Sequence, residues 1–171
     1  MKRLGWLLVV VAAVGIAAAD TAPVSSVDAL ATYQTTLTFD VAYTATDGTS
    51  GVDSVEVFYQ VDGGGYTSYG RFASSPVSFT ASGDGFYEFY TVATDNVGNT
   101  ETAPGTADAS TEVDTTTPAA PVLDPEPTYT AGTENTVSWG VVTMRASPVS
   151  YLAQRATDAG FTTIADSSGW I

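Results

Sequence analysis

The chain has 171 residues and a formal net charge of −14, with no cysteine and no histidine, and its single lysine is Lys2. Thiol, histidine-relayed and lysine-based chemistry are thereby excluded. Only five basic side chains stand against nineteen acidic ones, too few to cluster along a phosphate backbone, so no nucleic-acid partner is expected.

In chain order, residues 1–19 read as a secretory signal peptide. Lys2 and Arg3 precede an apolar run from Leu4 to Ile16, and Ala17, Ala18 and Ala19 form a small-residue cleavage site before Asp20. The run is shorter than the roughly 20 apolar residues a bilayer-spanning helix requires, so no membrane association is expected after cleavage. With no cysteine near the cut, a lipid anchor is excluded. Removal of this segment takes the net charge to −16 and leaves Arg71, Arg145 and Arg155 as the positive side chains. Such an acid excess reads as solubility in an extracellular or cell-surface setting.

Beyond Asp20 the apolar residues alternate with the period of strands. Leu37, Phe39, Val41, Tyr43 and Ala45 are predicted to face one way, with Thr38, Asp40, Ala42 and Thr44 opposite. The same rule sets Val55, Val57, Tyr59 and Val61 against Glu56, Phe58 and Gln60, and aligns Tyr87, Phe89, Thr91 and Ala93 on one face. Asp47-Gly48, Gly63-Gly64-Gly65, Gly83-Asp84-Gly85 and Asn96-Val97-Gly98-Asn99 punctuate these runs as turns. The pattern predicts an all-β antiparallel sandwich over residues 20–113.

A shift of 96 residues sets Ser54 on Ser150 and Asp62 on Asp158, and a shift of 95 sets Tyr66-Thr67 on Phe161-Thr162. The chain therefore reads as a tandem array whose second copy, residues 122–171, is truncated. Residues 114–121, rich in proline and threonine, form an extended and semi-rigid linker between the copies.

The segment GDGFYEFYTVATDNVGN at residues 83–99 resembles the penultimate strand and turn of bacterial immunoglobulin-like modules of secreted and surface proteins. The resemblance implies that Tyr87 makes a tyrosine corner and that Phe89 takes the inward place of the second cysteine of antibody domains. NTVSWG and VSYLAQR, at 135–140 and 149–155, are similar to fibronectin type III modules, which implies that Trp139 and Tyr151 belong to a core.

Three groups of side chains are candidates for chemistry. Asp95, Asn96, Asn99 and Glu101, with Asp47 or Asp114, offer oxygens suited to calcium. The same Asp95–Asn99 segment is also a hairpin turn in which aspartate bonds its own backbone, and the spacing is not that of an EF-hand. The turn is the better reading, so no metal and no cofactor are expected. Phe58 and Tyr90 point outward and should be neighbours, with Tyr66 and Tyr69 extending a candidate ligand-binding patch, though a cross-strand aromatic pair that only stabilises the sheet is the more ordinary reading. Glu56 and Glu88 share that face, but a carboxylate acid and base need a pocket to separate their pKa values, and an open sheet offers none.

The expected role is thus that of a non-catalytic spacer or adhesion module of an exported multidomain protein. Its partners would be neighbouring modules of the parent chain, or a cell-surface protein or polysaccharide. The alternative is a carbohydrate-binding accessory module of a secreted polysaccharide-active enzyme.

Overall fold

A computed structural model describes residues 19–125, 136–146, 149–156 and 162–170. The predicted signal peptide, apart from Ala19, and Asp158 and Phe161 of the repeat lie outside these residues. Among the described residues there are eleven strands and no helix. They are β1 (Val24–Val27), β2 (Tyr33–Gln34), β3 (Thr38–Val41), β4 (Tyr43–Thr46), β5 (Val52–Val61), β6 (Thr67–Phe72), β7 (Val77–Thr80), β8 (Gly85–Asp95), β9 (Ala109–Val113), β10 (Leu152–Ala156) and β11 (Ile164–Trp170). No helix among them is long and apolar enough to cross a membrane.

Nine of the strands build the folded body as two facing layers. One is a five-stranded sheet in the order β2-β9-β8-β5-β6, antiparallel except where β2 runs parallel to β9. In the other, the run from Thr38 to Thr46 is interrupted at Ala42. Its first half, β3, pairs with β7, and its second half, β4, pairs with β1.

The core is where the alternation places it. Val55 and Val57 on β5, with Tyr87, Phe89 and Ala93 on β8, are buried against Val41, Tyr43, Val77 and Phe79 of the opposite layer. Phe79 is the centre of an aromatic cluster, with ring centroids 4.7 Å from Tyr69, 4.9 Å from Phe89, 5.1 Å from Tyr59, 5.4 Å from Phe39 and 5.8 Å from Tyr87. Leu37 departs from its predicted inward set. It precedes β3 and is exposed, and only its carbonyl is engaged, accepting from the Ala81 N–H. Tyr87 closes one corner by donating its hydroxyl to the Gly83 carbonyl at 2.9 Å.

Acidic side chains do structural work at the strand ends. β9 pairs only with Gly85–Phe89, so the rest of β8 lacks a full neighbour on that side. Two carboxylates substitute for it. Asp108 accepts the N–H groups of Thr91 and Val27, while Glu101 accepts those of Ala93 and Ser25. Each thereby ties β1 to β8. Part of the acid excess that the sequence suggests is for solubility is spent on backbone donors that would otherwise be unpaired.

Thr91 shows the opposite arrangement, since its side-chain oxygen is fully buried in the core with no hydrogen-bond partner. An unpaired buried hydroxyl costs free energy that an isosteric methyl does not. Thr91→Val is therefore expected to stabilise the body by about 1 kcal/mol, read as a higher urea midpoint at unchanged slope.

Among the described residues, none after Pro121 belongs to this core, whose buried members fall between Val27 and Val113. β10 and β11 form an antiparallel hairpin, in the interval that the repeat aligns with β5 and β6. Leu123 and Trp139 make an isolated bridge, and Trp139 packs on Tyr151 at 5.6 Å. The Tyr151 hydroxyl accepts the Val142 N–H.

Candidate functional site

Inward placement of Val57 and Phe89 obliges Phe58 and Tyr90 to project from the outer face of the five-stranded sheet. They are directly paired across β5 and β8 and stack at 4.8 Å with an interplanar angle of 14°. Tyr66, entering β6, sets its ring edge-on to Tyr90 at 4.6 Å. Three of the four predicted patch residues are thus contiguous. Phe58 and Tyr90 are half-buried, with Tyr66 the exposed member.

Tyr69 does not join them. Val57 pairs with Gly70 but Phe58 pairs with Ser68, leaving Tyr69 as the extra residue of a β-bulge. Gly70 adopts φ 147°, a conformation that a side chain would strain, and the bulge turns Tyr69 to the inner face. There its ring packs on Phe79, Tyr59 and Phe72, and its hydroxyl accepts from Thr80 N–H and donates to the Ser78 carbonyl. Tyr69 therefore fastens β7 to the opposite layer instead of offering itself to a ligand.

Around the aromatic trio the polar groups are paired with one another. Glu56 meets Arg71 at 3.1 Å and accepts the Ser68 hydroxyl at 2.6 Å, and Glu88 accepts the Gln60 amide at 2.6 Å. Burial raises the Tyr66 phenol above its ordinary range, helped by the charge of Glu88, and burial with the charge of Glu56 does the same at Tyr90. Both hydroxyls therefore stay protonated at neutral pH and can donate as well as accept.

At the other candidate, the Asp95–Asn99 segment is a turn. The buried Asp95 carboxylate accepts N–H groups of Val97 and Asn99 and the Asn99 amide, at 3.0, 2.8 and 2.7 Å. Burial disfavours its ionised form, but these donors outweigh that effect and hold the carboxyl below the usual range. The Asn96 side chain donates to the Ser50 and Gly51 carbonyls, which brings the Asp47 turn alongside. Asp47 is likewise held low by the N–H groups of Thr49, Gly51 and Ser50.

The six residues considered for calcium therefore do not form one group. Glu101 is engaged with β1 and β8, and Asp114 accepts from Thr116 and Ala146 at the far end of the body. Asp47 and Asp95 do converge, joined by Asp20, and the three carboxylates approach within 4.8 Å of one another. Asp20 stands 27 residues before Asp47 and 75 before Asp95, in no local motif with either, so the sequence alone does not join it to them.

Compared with known proteins, the chain matches no family model, no curated protein and no solved structure.

Proposed function

We propose that the chain is a non-catalytic spacer or adhesion module of an exported multidomain protein, with an immunoglobulin-like body. The observation that carries this reading is the way the outgoing chain is clamped to that body. The Asp84 carboxylate accepts the Thr115 N–H and hydroxyl and the Thr116 hydroxyl, at 2.9, 2.8 and 2.7 Å. These donors hold its carboxyl below the ordinary range, Thr116 foremost. Beyond the linker, Arg145 bridges Glu112 and Asp62, and the Ala146 N–H bonds Asp114 at 2.7 Å. A proline-containing connector whose first residues are bonded to the body, and beyond which Arg145 and Ala146 return to it, would transmit spacing, which is what a spacer must do.

The immunoglobulin-like assignment is supported by the Tyr87 corner and the buried Phe89. The signal-like first 19 residues support export. Distances between spin labels introduced by Ser82→Cys and Thr136→Cys test the clamp. A narrow distribution is expected, broadened by Asp84→Ala. A broad distribution in the labelled chain that keeps Asp84 would remove the spacer reading.

A second reading, a carbohydrate-binding accessory module, is favoured by the contiguous trio of Phe58, Tyr90 and Tyr66. Against it, the first two rings spend a face on each other, as cross-strand pairs that stabilise a sheet do. Glycan-array binding that disappears in the double variant Phe58→Ala, Tyr90→Ala would establish this reading. No binding by the folded chain would eliminate it.

A further inference from the structure

We propose that Asp20, Asp47 and Asp95 form a calcium site that ties the segment entering β1 to the two turns at that end of the body. Their carboxylate oxygens lie within 4.8 Å of one another. Asp95 is buried at 2% exposure. The second observation lies in two atoms: Oδ2 of Asp20 and Oδ1 of Asp47 each retain less than 1 Å² of accessible surface and have no hydrogen-bond partner. A buried carboxylate oxygen with no donor is costly, and here two of them converge on a third carboxylate.

Rotation cannot relieve the arrangement, because the other oxygens are already committed. Asp47 Oδ2 takes the N–H groups of Thr49, Ser50 and Gly51, Asp20 Oδ1 takes that of Thr21, and Asp95 holds its own turn. Among the described residues no arginine pairs with the group, and Arg155 lies on β10, beyond residue 121. Arg71 is engaged by Glu56 and Arg145 by Glu112 and Asp62. What suits three converging carboxylates is a multivalent cation with a preference for oxygen.

Calcium fits better than magnesium. Oxygens drawn from three separate segments give an irregular shell, which calcium accepts, whereas magnesium demands near-ideal octahedral geometry. With only three charged ligands from the protein, and water left to complete the shell, the dissociation constant should be on the order of 10⁻⁴ to 10⁻³ M, as for extracellular modules. The site involves neither the linker nor the aromatic face, but cleavage after Ala19 would make Asp20 the first residue and set its α-ammonium beside the three carboxylates, so calcium binding is also to be compared in a chain that begins at Asp20.

The test is calorimetry and amide NMR on the whole chain, stripped with a chelator and titrated with calcium chloride and, separately, magnesium chloride. Saturable binding of one calcium is expected, with shifts concentrated at Thr21, Thr49–Gly51 and Val97–Asn99. Asp20→Asn and Asp47→Asn should each weaken it by about tenfold or more, while Asp40→Asn on the exposed side of β3 should leave it unchanged. Asp20 precedes the first strand, so its variant keeps the test valid even if Asp47→Asn fails to fold. The proposal is overturned by no saturable binding up to about 10 mM calcium, or by shifts spread over the acidic surface and indifferent to Asp20→Asn. Equal affinity for magnesium would overturn the choice of metal.

Discussion

Replacing Phe79 by alanine is expected to cost the body about 3–5 kcal/mol of folding free energy, enough to consume much of the stability of a domain this size. Phe79 comes from β7, one of the shortest strands, yet it is 1% exposed and meets five other aromatic rings. Its truncation removes the main apolar link between the layers and leaves a cavity that rings anchored on separate strands cannot collapse to fill. Urea unfolding followed by far-UV circular dichroism should show a much lower midpoint at unchanged slope. Phe58→Ala, on the outer face, removes a cross-strand pair worth up to about 1 kcal/mol and serves as the comparison. Equal losses in the two variants would mean that the packing between the layers is not what holds the fold.

Acidification should unfold the chain from below the ordinary carboxylate range. Asp47, Asp84, Asp95 and Asp114 are all held low in the folded state by hydrogen-bond donors. Each therefore contributes stability that is fully present above the unfolded carboxylate pKa of about 3.9 and is lost as the pH falls through the lower folded value. The urea midpoint should be nearly level from about pH 8 to pH 5 and fall steeply below about pH 4. Acids serving only as surface charge would give the opposite trend, because protonation would relieve self-repulsion in a chain of net charge −14. A midpoint that rises on acidification would overturn the structural role assigned to these carboxylates. Asp95→Asn, which removes one titrating group of the four, should flatten the acid limb.

The same division, between what is local and what is assembled, runs through the whole molecule. Strand character, the Asn96 turn and the sidedness of β5 and β8 were legible because a period of two residues is a property of the local backbone. Once Val57 and Phe89 are inward, Phe58 and Tyr90 can only be outward. Their stacking then required only that β5 and β8 be neighbours. Tyr69 could not be placed this way. Its direction depends on an extra residue in β6, and a bulge exists only relative to the strand it pairs with. Glycine at position 70 permits the bulge without announcing it.

Phe79 alternates with Ser78 and Thr80, so its side is local, but its importance comes from rings on four other strands, β3, β5, β6 and β8, that meet only when the layers close. The acidic residues mark the clearest limit. The sequence by itself determined how many there are, and hence the net charge, and that the chain carries no histidine or cysteine side chain. Only the tertiary structure decided that Asp108 and Glu101 complete the neighbourhood of β8, that Asp84 holds the linker, and that Asp20 meets Asp47 and Asp95. Composition is additive along a chain, whereas a hydrogen-bond partner 76 residues away, such as Glu101 for Ser25, exists only after the layers have closed.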